Sequence, residues 1–271
     1  METKHITYEE YKTDFCAVIL THGRAENVKT YSTLRDQGHT GPIQLILDDG
    51  DKRLDEYKKR YDGQISIFSK DAVADQFDKG DNLNDKRAVV YARNATFEIV
   101  KQLGYKYFIM LDDDYDTFCY KFDHELNFKT KKIMNLDKMF FNLLKYYLSI
   151  PALSIAMAQN GDFVGGKDND IARKKYMKRK AMNTFFCSVD RPFQFVGRIN
   201  EDVNTYITYG SRGDLFFQVP LVAVNQMQTQ ANNGGLTDIY LSLGTYVKSF
   251  YSVMYMPSSV KIREMGSSNR R

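Results

Sequence analysis

In the first half of the chain, compact apolar runs stop abruptly at polar residues, and segments with helical spacing separate them. "FCAVIL" (15–20) ends at "THGR", "IQLIL" (43–47) at "DDGD", and "KYFIML" (106–111) at "DDDYD". Runs this short that are apolar on both faces fit buried parallel strands, and their polar carboxyl ends mark where a ligand crevice opens. Between them, residues 25–37 and "LDEYKKRYD" (54–62) read as helices and "ISIF" (65–68) as a third strand. "NDKRAVVYARNATFEIVKQLGY" (84–105) reads as a long helix stopped near Gly104. Strand, helix, strand is the order of βαβ units, so His22, Arg24, Asp48, Asp49 and the aspartates from Asp112 onward are expected along one crevice.

In the second half, "LDKMFFNLLKYYLS" (136–149) has apolar residues at helical spacing, which assigns its aromatics to the core. "ALSIAMA" (152–158) and "NTFFCSV" (183–189) read as strands around a glycine-rich, basic insert, the expected mobile loop. "INEDVNTYITYGSRGD" (199–214) reads as a helix with a glycine stop, "LFFQVPLVAV" (215–224) as a strand, and a further helix is expected near 238–248.

Composition narrows the class. The 271 residues are 43% apolar and 27% charged, as in a soluble globular protein. The net charge of +4, from 38 basic and 34 acidic residues, neither demands nor forbids a polyanionic partner. Locally, "RKKYMKRK" (173–180) holds six cations in eight residues: Arg173, Lys174, Lys175, Lys178, Arg179 and Lys180. They can follow nucleic-acid phosphates, with Tyr176 stacking on a base, or form a solvated loop. Cys16, Cys119 and Cys187 make no C-x-x-C pair, which fits a reducing cytoplasm. The N-terminus lacks a signal-peptide core, and the most apolar window (139–158) is broken by Asn142, Lys145 and Pro151, so no membrane association is expected. Nothing in the sequence sets the oligomeric state.

Adjacent aspartates raise one another's pKa unless a cation or hydrogen-bond donors answer them. In extended backbone Asp112 and Asp114 point one way, and Asp113 turns aside toward backbone or solvent. Two hard carboxylates suit a divalent cation that keeps positions for phosphate oxygens and water. Charge shared with Arg24 or Arg93 would make a nucleoside diphosphate a competent leaving group. An acidic turn capping its own amides is the other reading of so short a motif, and Asp116 has no assigned role.

The ordered set "THGR", "LDDGD" and "ARNATFEIVKQLGYKYFIMLDDDYD" resembles the nucleotide-sugar-binding half of GT-A glycosyltransferases. The resemblance implies one α/β domain, Rossmann-like, with a mixed central sheet. Its boundaries would be an N-terminal extension (1–13), the GT-A domain (14–262) and a flexible tail (263–271). Within the domain, 14–120 would bind the nucleotide sugar and 121–262 the acceptor, with a mobile basic loop at 161–182. By the same resemblance Asp112 and Asp114 look like ligands of Mn2+ or Mg2+. His22, Arg24, Asp48, Asp49, Arg93, Asn94, Asp112 and Asp113 look like nucleotide-sugar contacts. Arg198 and Lys248 can reach phosphate or simply face solvent.

In "FVGRINEDVNTYITYGSRGDLFF" (195–217), Glu201 and Asp202 resemble the acidic pair of inverting GT-A enzymes, with Asp202 as base and Glu201 as orienter. Acids in a first helical turn are also favoured by the macrodipole alone. The chain departs from the GT-A pattern at the third metal ligand, a C-terminal histidine, because His5, His22, His39 and His124 all precede Asp202. Asp238 is a substitute or an ordinary helix cap.

"GRINEDVNTY", "NGGLTD" and "GTYVKSFYSVMYMPSSVKI" resemble a narrower group, the TET- and J-binding-protein-associated glycosyltransferases, over about residues 14–262. That group includes phage DNA-base glycosyltransferases and the kinetoplastid base J glucosyltransferase. The implied reaction moves a sugar from a nucleotide sugar, expected to be a UDP-sugar, onto the hydroxymethyl group of 5-hydroxymethyluracil or 5-hydroxymethylcytosine in DNA. A related branch is associated with protein glycosylation, so a protein or glycan acceptor stays open, as does a nucleotide- or DNA-binding protein without turnover.

Overall fold

The computed structural model describes residues 5–80, 86, 88–174, 180–226 and 247–262. Its centre is a mixed sheet of nine strands in the order β3-β2-β1-β4-β8-β7-β9-β5-β6. Strands β1 (Phe15–Leu20), β2 (Ile43–Asp48), β3 (Ile65–Phe68) and β4 (Tyr107–Asp112) run parallel. β1 and β2 are buried along their whole length, the condition that makes β1 uniformly apolar and β2 apolar but for Gln44 and the terminal Asp48.

Side-chain alternation splits the core between the two faces of this sheet. Phe15, Ala17 and Ile19 join Tyr107, Ile109 and Leu111 on one face, while Cys16, Val18 and Leu20 join Phe108 and Met110 on the other. Helix α6 (Leu136–Ser149) covers the first face with Leu136, Phe140, Leu144 and Tyr147 fully buried; its N-cap Asn135 accepts from the Lys138 amide at 2.9 Å. The second face receives α5 (Val90–Gln102) through Val90, Tyr91 and Val100. The start expected for that helix lies outside the described residues.

The remaining strands are β5 (Tyr115–Phe122), β6 (Phe128–Lys132), β7 (Ala152–Gln159), β8 (Phe185–Ser188) and β9 (Leu215–Gln226). β8 lies antiparallel to β4 and β7, β9 parallel to β7, and β5 antiparallel to both β9 and β6. β5 and β6 have no counterpart in the apolar pattern: bulges interrupt the β5 pairings at Tyr115/Thr117 and Tyr120/Phe122 and break its alternation, and β6 is an exposed, lysine-rich edge.

The other helices are α1 (Tyr8–Asp14), α2 (Lys29–Asp36), α3 (Leu54–Arg60), α4 (Lys70–Ala74), α7 (Asp170–Lys174), α8 (Glu201–Gly210) and α9 (Val247–Tyr255). Residues expected to precede the domain pack on it: Ile6 and Tyr11 enter the main core, and Thr7 and Glu10 form a capping box on α1. Most of the helix expected near 238–248 lies outside the described residues, and α9 runs into "YSVMY". No helix among the described residues is long and apolar enough to cross a membrane.

Candidate active site

Pairing of Leu20 with Asp112 brings the ends of β1 and β4 side by side, so the loop after β1 meets the aspartates. Thr21 donates through its hydroxyl to Asp113 at 2.7 Å, and Arg24 Nη1 donates to the other Asp113 oxygen at 2.6 Å. The Gly23 amide donates to Asp51 at 2.7 Å, and the Arg24 amide to the Tyr57 hydroxyl at 2.8 Å. Gly23 has φ +69° with open space where a Cβ would stand, so the turn's backbone conformation, not crowding, calls for glycine. Asp113 therefore does not turn to solvent: it is buried and ties the loop down, and burial raises its pKa against Arg24 and Thr21.

At the end of β2, Asp48 faces His22 Nδ1 at 2.6 Å and Lys70 Nζ at 3.0 Å. Burial would raise the Asp48 carboxyl, but hydrogen bonds from His22 and Lys70 outweigh it and bring it to about 2. The same contact with Asp48 raises the pKa of His22, whose ring remains half-exposed. Asp49 is exposed and accepts from the Lys70 amide at 3.3 Å.

The third group is built on Arg93, which α5 carries into the interior. Its side chain is 1% exposed, with Nη2 at 3.2 Å from Asp112 and Nε at 3.1 Å from Glu201. The guanidinium lies 5.4 and 5.5 Å from the ring centroids of Phe185 and Phe195. Burial works against its charge, but Asp112 and Glu201 keep it protonated. Nη1 is buried without a hydrogen-bond partner among the described residues. Asn94, the next residue, donates to the Phe195 carbonyl at 3.0 Å and accepts from the Phe195 amide at 2.8 Å. Arg93 and Asn94, expected as nucleotide contacts, are both turned inward: one joins two carboxylates and the other clamps the 195 segment.

The acids around Arg93 repel one another. Burial pushes Asp112 up to about 7; Arg93 opposes this, while Asp114, Glu201 and Asp113 add to it. Burial also raises Asp114, with Asp113 adding, although Gln226 Nε2 donates to its two oxygens at 3.0 and 3.2 Å. Glu201 is raised by burial and Asp202 and lowered by Arg93 and the exposed Lys248. Asp202, in the first turn of α8, is 7% exposed and accepts from the Val203 amide at 2.8 Å. Asp116 is bound by Asn225 Nδ2 at 2.8 and 2.9 Å and so fastens β5 to β9.

The α8 terminus is itself braced. Asn200, at φ +60°, donates to Ser252 Oγ at 2.5 Å, and Ser252 donates to Asn204 at 2.9 Å, which docks α9 on α8. Arg198 is buried rather than surface. The sequence pattern does not signal Gln226, Asn225 or Ser252, since single amides and hydroxyls far along the chain have no spacing relation to the aspartates.

Among the described residues, no group of three or more His, Cys, Asp or Glu side chains is gathered to enclose a metal ion. Lys175, Lys178, Arg179, Tyr176 and Asp238 lie outside the described residues, as does the Lys174 side chain. Arg173 and Lys180 are exposed, Arg173 pairing with Asp170 at 2.8 Å. A cleft of about 220 Å³ lined by His5, Glu10, Asp14, Lys106 and Asp190 opens at the amino end of β4, the opposite end from the aspartates.

A parallel α/β half ending in clustered acids, followed by a mixed half that brings a second acidic pair to them, is the layout of a GT-A fold. The sequence matches the model of the TET-Associated Glycosyltransferase family over residues 15–235, and the chain belongs to that family. No curated protein matches it. Among solved structures it is similar to glucosyl-3-phosphoglycerate synthase from Mycobacterium tuberculosis in complex with Mg2+ and UDP. The identity is 12% and the TM-score 0.52, over 97% of this chain and 86% of that one, a likeness of fold. It is also similar to a putative nucleotide-diphospho-sugar transferase from Desulfovibrio desulfuricans (9% identity, TM-score 0.42, 88% and 98% covered). For S. aureus TarS 1-349 the values are 10% identity and TM-score 0.45, with 93% and 67% covered.

Proposed function

We propose that this glycosyltransferase moves a sugar from a UDP-sugar onto the hydroxymethyl group of 5-hydroxymethyluracil or 5-hydroxymethylcytosine in DNA. The observation that supports a single transfer site is the Arg93 bridge, which joins the Asp112 end of the donor half to the Glu201 end of the acceptor half through one buried guanidinium. Family membership and the UDP and Mg2+ of the M. tuberculosis synthase support the donor class.

Asp202 acts as the base. It takes the proton of the acceptor hydroxyl while that oxygen bonds to the anomeric carbon, and the carbon's bond to the diphosphate breaks with its electron pair leaving on UDP. Attack opposite the leaving group inverts the anomeric centre. Glu201, fixed by Arg93, orients the acceptor end of the site. Arg24 stands beside the aspartates as a cation for the diphosphate, which His22 also contacts, and Asp48 or Asp49 meets the uracil or ribose.

The donor set fits a hard divalent cation: carboxylates whose pKa values are raised by burial and by one another's charge gain from a positive ion. Asp112 and Asp114 would hold Mg2+ or Mn2+, leaving other positions to phosphate oxygens and water. Such an ion supplies neutralisation of diphosphate charge. Within a duplex the target base must be exposed before its hydroxymethyl group can reach Asp202.

The test is mass spectrometry of nucleosides from hydroxymethylpyrimidine DNA incubated with the protein, a panel of nucleotide sugars, and Mg2+ or Mn2+. A hexose- or pentose-sized gain on one nucleoside is expected. Gain on a protein or glycan with none on DNA would move the acceptor, and UDP binding without cleavage of any UDP-sugar would indicate a protein without turnover.

A further inference from the structure

The sheet ends in a cationic edge. β6 is the terminal strand, and its sequence "FKTKK" exposes Lys129, Lys131 and Lys132. None of the three makes an ion pair with a described residue, whereas Arg173 pairs with Asp170 and Lys70 with Asp48. Lys121 beside them is buried; it donates to Thr130 Oγ1 at 3.3 Å and to Asn160, with its ammonium 5.1 Å from the Phe163 ring centroid.

Packing joins this edge to the root of the basic insert. Phe128 of β6 lies against Phe122 (5.9 Å) and Phe163 (5.6 Å), and Ile171 of α7 belongs to the same small core cluster. Lys132, opposite Cys119 of that cluster, lies on its face, whereas Lys131, opposite the exposed Tyr120, points to the other face, so the lysines flank the edge strand next to the segment leading into the insert. β5 links this edge to the site, because it starts directly after Asp114 and its Cys119 pairs with Lys132. Five residues of strand at 3.3 Å each place Lys132 roughly 17 Å from Asp114. That is about five steps of a nucleic acid at 3.4 Å per step.

Three ammonium groups, unpaired among the described residues and spaced along an edge whose alternate N–H groups face outward, match a repeating line of phosphates. We infer that the β6 edge, through Lys129, Lys131 and Lys132, holds the phosphodiester backbone of the acceptor DNA several nucleotides from the modified base. This rests on the reading of the acceptor as DNA. Lysines also protect sheet edges from pairing with another chain, and a charge of either sign serves that purpose. Charge reversal therefore separates the two roles: glutamates keep the edge protected and repel phosphate.

The experiment compares the wild type, Lys129→Glu/Lys131→Glu/Lys132→Glu and the corresponding triple arginine variant. The probes are a single-stranded oligodeoxynucleotide containing 5-hydroxymethylpyrimidine, the free hydroxymethylpyrimidine deoxynucleoside, and vesicles containing phosphatidylserine. For the glutamate variant we expect a monodisperse protein with unchanged UDP affinity and unchanged transfer to the free nucleoside. Its oligonucleotide affinity should fall about tenfold or more, with a salt slope shallower by about 2, three contacts at roughly 0.7 each on single strands. The arginine variant should match the wild type.

Equal oligonucleotide binding by the glutamate variant and the wild type, alongside DNA glycosylation by both, would overturn the edge assignment and leave the acceptor reading intact. Loss of nucleoside transfer or of UDP binding in the glutamate variant would overturn it as well, by showing that the lysines act through the fold. A wild type that neither binds nor modifies the oligonucleotide overturns the acceptor reading and this one together. Loss on vesicles with none on DNA would reassign the edge to an anionic membrane.

Discussion

Replacing Arg93 by methionine leaves the Asp112 and Glu201 carboxylates without the guanidinium that now sits 3.2 and 3.1 Å away. Methionine occupies much of the volume, so the perturbation is chiefly one of charge. Removing one partner of a buried ion pair costs about 3–5 kcal/mol, because the charge left behind stays desolvated. Here the Glu201 side chain is 11% exposed and Asp112 21%, so water answers part of the Asp112 charge. Lost contact with the Phe185 and Phe195 rings adds roughly 1 kcal/mol. A net loss of about 3 kcal/mol is expected, a large share of the roughly 5–15 kcal/mol of a typical domain. Urea unfolding should show it as a lower midpoint at unchanged slope. Adding Glu201→Gln to Arg93→Met removes one orphaned charge and should restore about 1–2 kcal/mol, a coupling readable from the double-mutant cycle. Arg93→Lys, which can serve one carboxylate but not both, should fall between. A loss under about 1 kcal/mol with no coupling would show that the bridge does not bind the two halves of the site.

Asp202→Asn should abolish sugar transfer while UDP binding by calorimetry stays as in the wild type, whereas Asp114→Asn should weaken UDP binding itself; equal losses of UDP binding would undo that division. Asp137 is pushed up by burial, but hydrogen bonds from His39 (2.6 Å) and from the Thr40 hydroxyl (2.6 Å) and amide (3.0 Å) outweigh this and bring it to about 2. Its contribution, on the order of 1 kcal/mol, should be complete above the unfolded carboxyl's pKa near 4 and vanish as pH falls toward 2. The wild type's advantage over Asp137→Asn should shrink across that window, and a constant difference would contradict the assignment. Gly197 has φ +81°, and a Cβ there would lie 2.4 Å from Asn204 Nδ2 and 2.8 Å from the Tyr255 ring, so Gly197→Ala should destabilise by well over 1 kcal/mol. Gly63, at φ +70° with open space around it, is the control: similar melting losses for Gly63→Ala and Gly197→Ala would deny that α8 and α9 are closely fitted there.

The strands that position the aspartates could be read from the chain because burial on both faces demands largely apolar runs, unbroken in "FCAVIL" and interrupted only by Gln44 in "IQLIL". β6 hid behind its lysines, since an edge strand has no such demand, and β5 behind bulges that shift its alternation. The T-x-x-E pattern at Thr7 and Glu10 is a capping-box signal for α1 that was open to sequence reading. The mutual repulsion that adds to burial in raising Asp112 and Asp114 was legible in the acid clustering, yet the partners of those acids were not. Arg93 follows helical spacing like any surface residue and only the tertiary structure buries it, while Gln226 and Asn225 reach Asp114 and Asp116 from the neighbouring strand β9, about 110 residues further along the chain.

The most direct measurement takes the active donor from the nucleotide-sugar panel and follows two products together, UDP release and the mass of each nucleoside. The substrates are hydroxymethylpyrimidine DNA and the same sequence with unmodified thymine and cytosine. Transfer onto the base predicts one sugar gained on the hydroxymethylated nucleoside for each UDP released, none on the unmodified strand, and neither product with Asp202→Asn. UDP release at the same rate on both DNAs, with no nucleoside gaining mass, would contradict it.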